Sequence, residues 1–249
     1  MKLTVINSGS SGNCYLLEDS KGKVLMIECG VRFKSVLKEV GFNVSKIVGC
    51  ILSHNHGDHA KGINEVLASG IKVAASGGTL SATGVSTHHN VTGLGAMRST
   101  VSFDNYQVKS FDINHDAAEP IGFLIRHPEL GTMLFLTDTY YCNYTFPGLT
   151  SILVEANYCE QILKDKVETG ASPKFLRDRV IQSHLSLRNC KELLSANDLS
   201  KVGNIVLIHL SDKNSDAERF KREVQELTGK KTHIAVPGLV IENFGLEVF

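Results

Sequence analysis

The sequence lacks the marks of a membrane protein, an exported protein or an indiscriminate nucleic-acid binder. Its longest apolar runs, such as NIVLIHL from Asn204 and TSILVEA from Thr150, fall far short of the roughly 20 residues that a membrane span requires. No membrane partner is therefore expected. There is no C-x-x-C pair among Cys14, Cys29, Cys50, Cys142, Cys159 and Cys190. The first three lie in or beside apolar runs, where a thiol serves as a small hydrophobe. The opening residues MKLTVINSGSSGN carry no signal-peptide core, and dispersed thiols then point to a reducing cytoplasm. Neither charge is in excess, because 26 Lys+Arg balance 26 Asp+Glu. That balance speaks against indiscriminate nucleic-acid binding but leaves room for a local basic patch. Only five prolines occur, with no Pro- or Ser-rich linker and no repeat of fixed period. Residues 1–249 are accordingly read as one domain, long enough to bury about three quarters of its unfolded surface without a staple. A hydrophobic content of 42% and a charged content of 21% exclude low-complexity disorder, collagen and coiled coil.

What is present is a succession of short apolar segments bounded by turn residues. Strands are expected at Leu3–Ile6, Cys14–Leu17, Val24–Ile27, Ile47–Leu52 and Ile71–Ala75. Further strands are expected at Tyr106–Ile113, Ile121–Arg126, Thr132–Leu136, Ser151–Glu155, Ile205–His209 and Leu239–Asn243. Helices are expected at Arg32–Val40, stopped by Gly41, and at Ile63–Leu67. Leu187, Cys190, Leu193 and Leu194 mark an amphipathic helix, and Ala217, Phe220, Val224 and Leu227 another. This last helix is read as capped by Ser215 and Glu218 and ended by Gly229. Two strand-rich halves flanked by helices imply a layered α/β protein with packed sheets and outer helices.

The chemistry concentrates in Ser53-His54-Asn55-His56-Gly57-Asp58-His59, where the apolar segment Ile47–Leu52 empties into a polar loop. Imidazole suits zinc and related divalent metals, and a carboxylate adds a negative ligand. In an extended loop His54 and His56 point the same way and can share one ion. Gly57 permits a sharp turn, after which Asp58 and His59 can face a second ion. Two ions about 3.5–4 Å apart are a known device for activating water and clamping a phosphate.

The H-x-H-x-D-H pattern at a strand end resembles the signature of the metallo-β-lactamase fold superfamily. The resemblance implies an αββα sandwich with a dinuclear site on one edge. It further implies that His115, in INHDAAEPIGF, completes the first metal site with His54 and His56. Asp138, in LFLTDTYY, would be the bridging carboxylate. His209, in IVLIHLSDKN, would complete the second site with Asp58 and His59. The segments NSGSSGNCYLLE, HDAAEPIGF, TDTYY, LVEANY, SHLS and HLSDKNS are similar to the YycJ-like branch, which is related to ribonuclease Z and contains bacterial 5′–3′ DNA exonucleases. The similarity runs from Ser8 to about Ser215.

Two departures stand out. Glu28-Cys29-Gly30 takes the place of the family's Asp-x-Gly, so Glu28 would support the site from outside, one methylene longer. Asn157-Tyr158-Cys159 stands where relatives often have Asn-His-Asp, so no role passes to Tyr158. No long tRNA-holding arm is inserted. His184, in QSHLSLRN, matches a histidine beside the substrate phosphate that can protonate the leaving oxygen. Lys174, Arg177 and Arg179 form a basic stretch that suits phosphate, though a solvated helix face explains them equally. His88, His89, His127 and His233 are read as surface or structural.

The expected protein is a cytoplasmic hydrolase with two divalent metals, zinc or manganese, and a hydroxide between them as nucleophile. Asp58 and His184 are the expected catalytic residues, and nucleic acid is the expected substrate. Hydrolysis of a small ester, thioester or lactam is the second reading, and a non-enzymatic metal-binding regulator the third.

Overall fold

Successive side chains of the strands fall into different cores, and this alternation defines the layers. In the computed structural model, which describes residues 1–95, 99–170 and 173–245, Tyr15 and Leu17 join one buried cluster while Cys14 and Leu16 join another. Likewise Val206 and Ile208 face one way, and Ile205 and Leu207 the other. Strands covered on both faces read as continuous apolar runs, which is why these segments stood out in the sequence.

The first sheet contains β1 (Lys2–Asn7), β2 (Cys14–Glu18), β3 (Val24–Ile27), β4 (Ile47–Leu52), β5 (Val73–Ser76) and β6 (Val91–Leu94). The second contains β7 (Thr100–Phe103), β8 (Tyr106–Asp112), β9 (Ile121–His127), β10 (Gly131–Leu136), β11 (Ser151–Glu155), β12 (Asn204–Ile208) and β13 (Lys231–Ile234). The late strand β14 (Val240–Ile241) returns to the first sheet beside β1. Spatial order is β14-β1-β2-β3-β4-β5-β6 in one sheet and β13-β12-β11-β10-β9-β8-β7 in the other. From β3 to β6, and from β10 to β13, neighbours run parallel.

A core that includes Tyr15, Ile51, Phe123, Phe135 and Val206 lies between the sheets. Helices α1 (Phe33–Glu39), α2 (Gly57–Ala60), α3 (Ile63–Ala68) and α4 (Gly77–Ala82) cover the first sheet's outer face. After them come α5 (Glu160–Glu168), α6 (Lys174–Ser183), α7 (Leu187–Ser195) and α8 (Ala217–Thr228). Of these, α7 and α8 bury Leu187, Leu193, Leu194, Phe220 and Val224 against the second sheet. Each such fully buried side chain contributes about 1.5–3 kcal/mol. The result is the expected αββα sandwich. No helix of the described residues is long and apolar enough to cross a membrane.

Some local expectations need correction. Asp216, not Ser215, caps α8, its carboxylate accepting from the Arg219 amide at 3.0 Å. Ser215 instead donates its hydroxyl to the Ser211 carbonyl at 2.7 Å, so the expected Ser215–Glu218 capping box does not form. The cap moves by one residue, and Arg219 stands where a box would need Glu or Gln. Leu227 is 46% exposed, because the buried stripe of α8 ends at Val224. The last strand covers only Val240–Ile241, since Asn243 turns the backbone to φ 55°.

Gly30 shows how tightly the first sheet's outer layer holds the site loop. A Cβ there would fall 1.6 Å from the Asp58 carbonyl oxygen and 2.8 Å from the Asn13 amide. Backbone must then move, and overpacking of this kind costs about 1–3 kcal/mol or more. Gly30→Ala is expected to lower the melting temperature and to weaken metal uptake together. A variant melting like the parent with unchanged metal content would contradict this.

Candidate metal centre

All the site residues sit at strand ends on one edge of the sandwich. Glu28 follows β3 directly, and β4 runs into residues 53–56, which lead into the short helix α2 carrying Asp58 and His59. His115 lies in the loop after β8, Asp138 just after β10, Glu155 at the end of β11 and His209 just after β12. Glu28, Asp138 and His209 have positive φ (64°, 48° and 53°). Such conformations cost of order 1–3 kcal/mol each for residues other than glycine. They turn each chain sharply as it leaves its strand, and each side chain meets the imidazole–carboxylate cluster there.

There the donors converge. Ring nitrogens of His54, His56 and His115 lie within 4.8 Å of one another, as do donor atoms of Asp58, His59, Asp138 and His209. Asp138, 2% exposed, is central to both groups. Its Oδ2 lies 3.6 Å from His54 Nε2, 3.2 Å from His59 Nε2 and 3.6 Å from His115 Nε2, while Oδ1 lies 3.3 Å from His209 Nδ1. Asp58 Oδ2 reaches His209 Nε2 at 3.2 Å and His59 Nε2 at 3.5 Å. All seven residues named from the sequence are thus brought together.

The remaining ring nitrogens are held from behind. His115 Nδ1 lies 2.8 Å from the Ser183 carbonyl, which fixes the proton on that nitrogen and frees Nε2. His115 Nε2 and His56 Nδ1 approach to 3.1 Å. His59 Nδ1 faces Glu28 Oε2 at 3.3 Å, and Glu28 Oε1 accepts the Ser53 amide at 3.1 Å. Glu28 therefore takes the supporting place expected of it. Partners of this kind orient ligand rings and raise their basicity.

His54 Nε2 is buried with no hydrogen-bond partner among the described residues. Together with imidazoles and carboxylates aimed at common points, that orphaned lone pair fits divalent cations.

Electrostatics agree with this fit. Burial alone would push Asp138 and Asp58 up, but imidazoles beside them, chiefly His209 and His59, hold both well below the usual carboxylate range. Burial, reinforced by neighbouring imidazoles, keeps His54 and His115 below the usual histidine range. Burial works against the charged forms of His59 and His209 too, yet Asp138 and the surrounding carboxylates overcome it. His59 is raised well above its ordinary value and His209 to about 10. Without cations, protons on these two rings balance the acids.

A carboxylate that the sequence reading left without a role lies beside this cluster. Glu155, fully buried, places Oε1 2.7 Å from His184 Nδ1 and 3.3 Å from His209 Nδ1. Its Oε2 accepts the amides of Leu185 and Thr139 at 3.0 and 3.2 Å. The available signal was an acidic residue closing the apolar strand SILVE, buried at all five positions. Asn157, named from the sequence only within the Asn157-Tyr158-Cys159 segment, gains a role here: its side-chain amide donates to the His209 carbonyl at 2.8 Å. His184 falls between α6 and α7 as expected, its ring stacked 5.4 Å from that of His209. Of the remaining histidines, His127 packs on Tyr106 and His88 stacks on His89, away from the centre.

Comparison with known proteins places this geometry in context. A family model described as anti-Pycsar protein Apyc1 matches residues 6–81. The exodeoxyribonuclease WalJ of Streptococcus pneumoniae is 29% identical, with 87% of this chain and 84% of that one covered. The exodeoxyribonuclease YycJ of Bacillus anthracis is 26% identical, covering 93% and 90%. Among solved structures, the metallo-β-lactamase fold protein YhfI of Bacillus subtilis superposes with a TM-score of 0.71 at 17% identity over 96% of this chain and 98% of that one. Human short-form tRNase Z gives 0.62 at 15% identity, covering 97% and 99%.

Proposed function

We propose that this chain, which has the metallo-β-lactamase fold and resembles the WalJ and YycJ exodeoxyribonucleases, is a metal-dependent phosphodiesterase that cleaves nucleic acid. The carrying observation is the pair His184–Glu155, which is not needed to complete the two groups formed by the seven donors yet lies within reach of Asp138 and His209. In this reading His54, His56 and His115 would hold one divalent cation and Asp58, His59 and His209 the other, with Asp138 available to both. When bound, such a pair of cations, zinc or manganese, supplies charge stabilisation and activation of water near neutral pH.

The chain's own groups do the rest. Glu28 and the Ser183 carbonyl hold the His59 and His115 rings in the tautomer that offers Nε2. Glu155 holds His184 through Nδ1 at 2.7 Å, which leaves Nε2 free of that partner, and His184 lines a cleft. Burial opposes the imidazolium of His184, but Glu155 outweighs it and raises the pKa above the usual histidine value. The ring therefore keeps its proton to higher pH than an ordinary histidine does, which suits donation to a departing alkoxide oxygen. Glu155 is itself held in the ionised form, its burial opposed first by His184.

The test is metal-loaded protein offered labelled DNA, labelled RNA, a bis-nitrophenyl phosphate and a small carboxylic ester. Cleavage of the nucleic acids supports the reading. Turnover of the ester alone would replace it with small-ester hydrolysis, and turnover of none would leave a metal-binding protein.

Metal uptake gives an independent measure. About two divalent ions per chain are expected by elemental analysis, with His54→Ala losing at least one. A cation entering this centre must displace the protons held on His59 and His209, whose pKa values are raised. Apparent affinity should consequently rise with pH through neutrality, and uptake should release protons in calorimetric titrations run in buffers of different ionisation enthalpy. Uptake without proton release at pH 7 would contradict the protonation pattern.

A further inference from the structure

Helix α6 is poorly explained by packing. Ser183 is its one buried residue, while Phe175, Leu176 and Ile181 are 69%, 41% and 41% exposed. By contrast α7 buries Leu187, Cys190, Leu193 and Leu194. The basic stretch noted in the sequence lies on the same helix, so α6 carries large apolar and cationic side chains in water beside the site.

Its two faces border two clefts. Phe175, Asp178, Arg179, Gln182 and Ser183, spaced i, i+3, i+4, i+7 and i+8, line a cleft of about 710 Å³. Tyr140, 44% exposed, forms its other wall and His115 also lines it. Pro173, Leu176, Arg177 and Val180 face the second cleft, which contains His184 and Lys213. Arg179 belongs to both. It stands between the cleft over a proposed metal ligand and the cleft over the proposed acid, and its guanidinium makes no hydrogen bond or ion pair among the described residues. Setting histidine aside, Lys166, Arg177, Arg179 and Lys213 oppose only Asp116 and Asp178 in the two linings, and Asp178 is taken up by Arg177 at 2.7 Å. In a chain of zero net charge, this cationic surplus is local to the site.

We infer that α6 and Tyr140 form a seat for a single-stranded nucleic-acid end, with a nucleobase stacked on Phe175 and Tyr140 and the adjacent phosphate on Arg179. Resting on the nuclease reading above, the inference names the strand form that the same site takes. Exposed aromatic faces bind unpaired bases because every base has a π-face, and basic groups alongside follow the backbone. A paired base keeps its faces inside the helical stack and cannot use Phe175 and Tyr140 in this way. Substrate should therefore enter as a frayed or unpaired end, the bond to be cleaved lying between the two clefts.

The test uses metal-loaded protein and a short 5′-labelled single-stranded oligodeoxynucleotide whose phosphorothioate backbone resists cleavage. Fluorescence anisotropy reads affinity, and a 2-aminopurine placed near the end reads stacking by its quenching. Phe175→Ala is expected to weaken binding about 5- to 150-fold, the range of one lost base–aromatic stack, and to relieve the quenching. Phe175→Tyr should retain both signals. Arg179→Ala should weaken binding regardless of base sequence and lower the slope of log Kd against log salt by about 1. Melting temperatures should not change, because neither side chain is buried. The inference is overturned if wild-type protein binds and cleaves DNA while Phe175→Ala and Arg179→Ala bind equally well. Blunt duplex binding as tightly as the single strand, with no effect of Phe175→Ala, overturns it too. A wild-type protein that neither binds nor cleaves any oligonucleotide removes the nuclease reading itself, and this inference with it.

Discussion

Asp138→Ala is expected to deplete bound metal more severely than any single histidine replacement, and in particular more than His115→Ala. Its two oxygens lie within 3.2–3.6 Å of four imidazoles drawn from both sheets. The Thr137 hydroxyl donates to Oδ1 at 2.7 Å, fixing the carboxylate's orientation. Removing it leaves His59 and His209 without the main charge that opposes their burial. It also leaves two cations with no shared anion to offset their repulsion. Losing a residue that merely orients a ligand costs roughly 10–100-fold in metal affinity. Asp138→Ala should exceed that at both positions, and activity should fall with the metal. His115→Ala removes one donor from one position and should spare the other cation. Elemental analysis and competitive chelator titration on the two variants decide the matter. Equal or smaller depletion in Asp138→Ala would reduce Asp138 to a supporting carboxylate.

The second large effect is kinetic. His184→Ala should keep its metal and its fold yet lose roughly 10²–10⁴-fold in rate on DNA or RNA, the usual worth of a positioned general acid. The loss should shrink on a nitrophenyl phosphodiester, whose leaving group departs without a proton. Glu155→Gln offers a second reading of the same step. The Glu155 carboxylate is the largest influence holding the His184 proton against burial, so neutralising it should lower the pKa of His184. A general acid acts only while protonated. The alkaline limb of the pH–rate profile should therefore move to lower pH in Glu155→Gln, with the metal retained. A limb that stays in place would separate Glu155 from the proton transfer. Metal lost from His184→Ala would show that His184 is a ligand, a possibility its grouping with Asp138, Glu155 and His209 makes concrete. Full metal and unchanged cleavage of native nucleic acid would remove it from the mechanism.

Much of this centre could be read locally. His54, His56, Asp58 and His59 lie within six residues after an apolar strand, and their convergence needs only one loop and one short helix. The strands Val24–Ile27, Ile47–Leu52 and Ser151–Glu155 match their sequence-derived bounds because burial on both faces leaves runs without polar interruption. Short-range end signals proved less secure, since one residue of slack moved the cap of α8 from Ser215 to Asp216.

By itself, then, the sequence determined the layers, the most deeply buried strands and the chemical kind of the site, because hydrophobic period and ligand type are properties of short segments. It passed over β6, β7 and β13, which bury fewer of their residues. Only the tertiary structure decided which strand ends are neighbours. Glu155 meets His184 29 residues away and His209 54 residues away. That happens because β11 lies between β10 and β12 in the parallel part of the second sheet. Pairing of that kind is settled by the packing of whole sheets, and no local spacing encodes it. The same holds for α6, whose residues read equally as a solvated face or a phosphate contact. The fold placed Arg179 in the lining of two clefts and Phe175 in one cleft with Tyr140, and the inferred strand seat rests on that placement, not on the composition of the helix.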